Sequence, residues 1–112
     1  MQSIDLDAAF RRITTHWDPH VAVQLAKLKG EFVWHRHEVE DELFLVHRGR
    51  LHMRFRDREV TVGPGQFLIV PHGVEHQPYA PEEVEVVLFE PATTLNTGDV
   101  QNELTRRELK RV

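Results

Sequence analysis

Gly30-Glu31-Phe32-Val33-Trp34-His35-Arg36-His37-Glu38-Val39-Glu40-Asp41-Glu42-Leu43-Phe44-Leu45-Val46-His47-Arg48-Gly49 is the most informative stretch of this chain. Its run Glu31–His37 reads as a strand, and successive side chains on a strand alternate faces. His35 and His37 therefore point the same way. Glu42 opens a further run, Glu42–Val46, that is apolar on both faces, and a tight turn before it returns the carboxylate toward the two rings. A second stretch adds another imidazole: Gly65-x5-Pro71-x-Gly73-x2-His76. Three imidazoles and a carboxylate form a borderline-to-hard donor set that suits Fe, Mn, Ni, Co or Zn. On an octahedral ion these four ligands leave two positions open, for water, a bidentate substrate or dioxygen, whereas a structural zinc site is tetrahedral and closed. A His-x-His pair on a strand is by itself more often a solvated pair than a ligand pair.

The composition agrees with this reading. The chain has 112 residues, eight histidines and no cysteine. Histidine is about 2% of an average soluble chain, so this is an excess of roughly threefold. The lack of cysteine excludes disulfide scaffolds, thiolate nucleophiles and Cys-based metal sites. A hydrophobic content of 40% supports a packed core in a single domain. The net charge of −4 and a pI near 6.0 speak against nucleic-acid binding. Arg48, Arg50, Arg54, Arg56 and Arg58 concentrate positive charge in one segment, which reads as a solvated face or a dimer contact. No apolar run approaches the roughly 18 residues of a membrane span, and Met1-Gln2-Ser3-Ile4-Asp5 is not a signal peptide, so no membrane association and a cytoplasmic location are expected.

The rest of the chain divides into three parts. Residues 1–18 hold a short N-terminal helix, expected over 5–17 with Leu6, Phe10, Ile13 and Trp17 on one face. Asp5 or Ser3 caps it and Pro19 stops it. Residues 20–90 read as a β-barrel. Val21, Val23 and Leu25 alternate before Gly30, and Leu51, Met53 and Phe55 pair with Val60 and Val62 as a hairpin across Asp57-Arg58. Gly63-Pro64-Gly65 suits a type II turn. Gln66–Val70, Val74–Tyr79 and Val84–Phe89 complete the strands. Residues 91–112 form a polar C-terminal arm in which a short helix can form over 101–111 with few apolar anchors (Leu104, Leu109), docked at its start and loose at its end.

Taken together, Gly30-x4-His35-x-His37-x4-Glu42-x6-Gly49 and Gly65-x5-Pro71-x-Gly73-x2-His76 resemble the two motifs of the cupin family of metal-binding β-barrels. The likeness covers residues 30–76 by motif and about 20–90 by strand pattern. The gap from Gly30 to His35 is one residue shorter than the family's usual spacing, which a loop can absorb. Ala80 stands where the second motif often has Asn, a position that is not a ligand in the family. The resemblance implies an all-β fold, an antiparallel double-stranded β-helix or jelly-roll barrel. It implies one divalent metal ion per chain on His35, His37, Glu42 and His76. It further implies an enzyme acting on a small organic substrate, of dioxygenase, isomerase or lyase type, with the fold choosing none of these. The alternative is a non-catalytic metal or small-ligand binding or sensor barrel.

Residues sharing parity with the ligands are expected to line the cavity: Val33, Phe44 and Val46. Phe55, Phe67, Ile69 and Phe89 are further candidates for the interior, although core packing explains such aromatics equally well. Asp41 and His47 are expected to face away from the metal, leaving no evident second general base, and Tyr79 could reach the mouth. His16, His20, His52 and His72 read as surface residues. Gly49 marks a turn needing positive φ or a close approach, Gly65 and Gly73 bracket a strand, and Pro71 ends it. A homodimer through barrel faces is expected, because a small sheet gains from covering its edges.

Overall fold

The computed structural model describes residues 5–14, 16 and 24–89. Asp5 caps helix α1 (Leu6–Arg11), its carboxylate accepting the Asp7 N–H at 3.2 Å. The helix is shorter than its apolar period suggests. Arg12 N–H bonds Ala9 O and Ile13 N–H bonds Phe10 O, tightening the last turn. The three β-branched residues that follow, Ile13, Thr14 and Thr15, are poor helix formers. Ile13 is nonetheless buried beside Phe10. Trp17, Pro19, His20 and the arm 91–112 lie outside the described residues.

The strands are β1 (Gln24–Glu31), β2 (Glu42–Arg48), β3 (Leu51–Phe55), β4 (Glu59–Val62), β5 (Phe67–Val70) and β6 (His76–Phe89). All pairings are antiparallel, in the order β4-β3-β6-β2-β5, with β1 on the other side of β6. The fold is all-β, a curled antiparallel half-barrel of the double-stranded β-helix kind. The two strands expected over 74–79 and 84–89 are one 14-residue strand. Its first half pairs with β3 (His76↔Phe55, Tyr79↔His52) and its second half with β2 (Val86↔Val46, Phe89↔Leu43). β6 thus ties both halves of the sheet together and carries His76 at its start. The run 31–37 is not a regular strand. β1 passes through Gly30 and ends at Glu31, after which Phe32 N–H reaches Pro78 O and His35 makes a single bridge to His76.

The expected turns form. Phe55 N–H meets Arg58 O at 2.7 Å to close the β3–β4 hairpin. Gly65 takes φ 78° while Gln66 N–H bonds Gly63 O, as a type II turn requires. Inside the curl, Val46, Leu51, Met53, Val84 and Val86 are fully buried. A second cluster on the outer face packs Ala9, Phe10 and Ile13 onto Leu25 and Val87.

Three expected interior residues are outside. Phe67, Ile69 and Phe89 are 61%, 50% and 50% exposed. Parity on β5 is set across the strand pair: Val70 and Leu68 stand opposite the inward Glu42 and Phe44, so Ile69 and Phe67 face out with Leu43 and Leu45. The sequence Phe67-Leu68-Ile69-Val70 is apolar on both faces and carries no parity of its own. Phe55 is partly buried against the core.

Candidate metal centre

His35, His37, Glu42 and His76 come together. Each offers a ligand atom within 4.8 Å of the others, and their exposures are 3%, 5%, 3% and 0%. Glu42 opens β2 and His76 opens β6, while His35 is fixed by its bridge to His76 through two backbone hydrogen bonds of 3.0 and 2.9 Å. His37 is held by its carbonyl, which accepts Gly73 N–H at 2.7 Å. Asp41, turned outward as expected, accepts the backbone N–H and the ring Nδ1–H of His72 at 2.8 and 2.9 Å. These two bonds to His72 hold the Asp41 carboxyl below its usual pKa. The Pro71-His72-Gly73 turn therefore anchors the loop between His37 and Glu42.

Two of the rings are preset by their own backbone. His35 Nδ1 lies 2.9 Å from Val33 O, and His76 Nδ1 lies 2.9 Å from Val74 O. A carbonyl can only accept, so Nδ1 carries a proton in each ring, and Nε2 is the nitrogen that a neutral ring offers as a ligand. In both cases the carbonyl belongs to the residue two positions earlier. Burial first, and then the neighbouring His76, push the pKa of His35 down to about 4, against the opposing effect of the Val33 carbonyl. His35 is therefore neutral at pH 7, the form that ligates.

The donors fit a metal ion. Glu42 Oε1 lies 2.7 Å from His37 Nε2 and 3.2 Å from His76 Nε2. The first contact lacks hydrogen-bond geometry and leaves His37 Nε2 buried without a hydrogen-bond partner. At His76 the second contact has hydrogen-bond geometry, Nε2 to the same Glu42 oxygen. A proton can join one nitrogen to the Glu42 oxygen, but a cation is what can engage all four convergent donors at once, His37 Nε2 included. Metal–nitrogen bonds of about 2.1 Å place neighbouring donors about 3 Å apart and opposite ones about 4.2 Å apart, within the observed span.

The surroundings are apolar. Phe44 meets His76 edge-on at 6.3 Å between ring centroids and Phe32 meets His35 edge-on at 5.5 Å. Val46 lies in the core, and Val33 is half-buried. Besides the four ligands, the buried polar side chains among the described residues are Gln24 and Gln77. No second acid or base shares the interior with them. The contributions of Phe32, the Val74 carbonyl and the His37 carbonyl were not read from the sequence. The last two are backbone groups that any residue supplies, and Phe32 is one of several aromatics with the same pattern.

The other histidines among the described residues lie elsewhere. His47 stacks on Phe10 at 5.2 Å and bonds Asp7 at 3.0 Å. His16 meets Glu83 at 2.7 Å, and His52 meets Glu59 at 3.4 Å, beside Tyr79 on the outer face. The arginine segment disperses: Arg48 pairs with Asp7, Arg54 with Glu31 and Glu59, and Arg56 with Glu75. Tyr79 lies under Arg54, 4.1 Å from ring centroid to guanidinium. No helix among the described residues is long and apolar enough to cross a membrane.

Comparison with known proteins agrees with this geometry. A cupin-2 domain protein of Shewanella frigidimarina is 39% identical, with a TM-score of 0.77 over 79% of this chain and 93% of that one. Protein NMB1881 of Neisseria meningitidis is 27% identical, with a TM-score of 0.74 over 80% of this chain and 98% of that one. The uncharacterized protein YdbB of Bacillus subtilis is 41% identical over 56 residues, 49% of this chain and 50% of YdbB, so the match spans about half of that protein's length. Residues 22–91 match Cupin_2, the cupin domain. That span is more than half of the chain and contains both ligand-bearing stretches: this protein belongs to the cupin family.

Proposed function

We propose that this cupin binds one divalent metal ion through His35, His37, Glu42 and His76 and uses it to act on a small organic molecule. The observation that carries the reading is the convergence of four buried donors in which His37 Nε2 has no hydrogen-bond partner and two rings are oriented through Nδ1 so that Nε2 points into the centre. A divalent ion bound there supplies Lewis-acid or redox chemistry. The chain's own part is to present neutral imidazoles, to keep their rings oriented through the Val33 and Val74 carbonyls, and to exclude water with Phe32 and Phe44. With no second buried acid or base among the described residues, proton transfer by the protein would fall to the ligand set itself or to the substrate. This favours chemistry centred on the metal over an isomerase with a separate base.

Elemental analysis of freshly purified protein tests the reading. About one Fe, Mn, Ni, Co or Zn per chain is expected, with most of it lost in His37→Ala. A preparation that is metal-free and cannot be reloaded refutes it. Oxygen uptake by iron-loaded protein with diketone or thiol substrates would assign a dioxygenase. A protein that loads metal and turns over nothing across a broad panel would be a binding or sensor barrel.

A further inference from the structure

Arg36 stands between two metal-facing histidines, and alternation turns its side chain outward. There it meets the tip of the β3–β4 hairpin and the 73–75 turn around a cleft of about 390 Å³ whose lining includes Arg36, Phe55, Arg56, Arg58, Val74 and Glu75. That volume is within the range of small-molecule sites. Three guanidiniums face two carboxylates, Asp57 and Glu75, so the lining has a formal charge of +1 in a chain of net charge −4.

The three arginines are not equivalent. Arg36 bonds Glu38 at 2.8 Å. Arg56 bonds Glu75 at 3.1 Å and lies 3.9 Å over the Trp34 ring, which holds it in place. Arg58 lies 5.3 Å from the Phe55 ring, and no carboxylate among the described residues pairs with it. Its planar fork is the geometry that takes a carboxylate by two parallel hydrogen bonds. Phe55 and Val74, both half-buried, form an apolar wall beside it.

We propose that this cleft is a binding site for a small organic monocarboxylate, with its carboxylate on Arg58 and its apolar body against Phe55 and Val74. With Arg36 paired to Glu38 and Arg56 to Glu75, Arg58 is the guanidinium left to take an anion, and one such group matches a monoanion. A phosphate dianion would leave net negative charge beside Asp57 and Glu75. The site is separate from the metal centre and stands whether or not the metal reading does. It does share backbone with it, because Val74 supplies both the apolar wall and the carbonyl that holds His76.

Titration of the full-length protein with benzoate, followed by ¹H–¹⁵N NMR, tests the proposal. Saturable shifts are expected at the Arg58 Nε–H and at the backbone amides of 55–58 and 73–75, with a dissociation constant in about the millimolar range. Arg58→Ala, an exposed substitution that leaves the fold intact, should weaken binding about tenfold or more, and Arg58→Lys should recover only part of it. Shifts that rise linearly without saturating, or that persist unchanged in Arg58→Ala, would overturn the site. A parallel titration with inorganic phosphate at matched ionic strength should bind more weakly. Equal or tighter phosphate binding would overturn the carboxylate assignment.

Discussion

At Gly49 two constraints coincide. Its φ is 89°, and a Cβ there would lie 2.7 Å from Glu83 O and 3.0 Å from Val84 Cα, both backbone atoms of the central strand. The β2–β3 turn can pass β6 only without a side chain. Gly49→Ala should cost about 2–4 kcal/mol, combining the left-handed penalty with displacement of backbone, and urea denaturation would read it. His35 makes a different prediction. In protein stripped of metal its folded pKa of about 4 lies below the ordinary 6.5 because the ring is buried. Between those values the unfolded chain binds a proton that the folded chain refuses. Stability from this ring is therefore complete above about pH 6.5 and falls as pH drops toward 4, by about 3 kcal/mol in all. Chelated protein should show a lower urea midpoint at pH 4.5 than at pH 7.5, and His35→Gln should flatten that dependence.

Helix α1 has six residues, too few to persist alone, so its stability comes from the sheet. Phe10 supplies most of the contact: it is 1% exposed, stacks on His47 and packs with Leu25 and Val87. The same docking is reinforced by Asp7, whose carboxyl is held below its usual pKa by the His47 hydrogen bond and by Arg48. Phe10→Ala should cost about 3–5 kcal/mol and abolish hydrogen-exchange protection in α1 while leaving metal content unchanged. Its amphipathic period was legible in the sequence. Its end was not, because the loss of helix at Arg12 depends on local propensity competing with burial of Ile13.

At the scale of the whole molecule, β5 ends the sheet among the described residues, and Phe67 and Ile69 are exposed on it. Residues 65–71 contain no charge and no inward lysine that would block strand addition. We propose that a second copy of this chain covers the edge: about a two-fold axis, β5 would meet its own equivalent and need no other complementary surface. Sedimentation velocity should show a dimer at micromolar concentration, and Phe67→Glu should shift it to monomer. Monomer at high concentration in the unaltered protein would refute the arrangement. Arg48, Arg54 and Arg56, close together in sequence, are spread over separate acidic partners in the fold.

The turns at Gly49, Gly65 and Gly73 were legible from turn chemistry, which is local, and the family and the four residues that meet at the centre from the resemblance of two spaced motifs to the cupin pattern. The facing of β5 was hidden, since a strand apolar on both sides takes its parity from its partner. The continuity of β6 was hidden too, because Pro81-Glu82-Glu83 reads as a break, and only the fold shows β1 paired with β6 on both sides of it, through a register shift between Leu28 and Gly30. The presetting of His35 and His76 by carbonyls two residues back, and the meeting of Arg36, Arg56 and Arg58 around one cleft, required the folded chain. Backbone acceptors have no side-chain signature, and residues that far apart in sequence become neighbours only when the sheet curls.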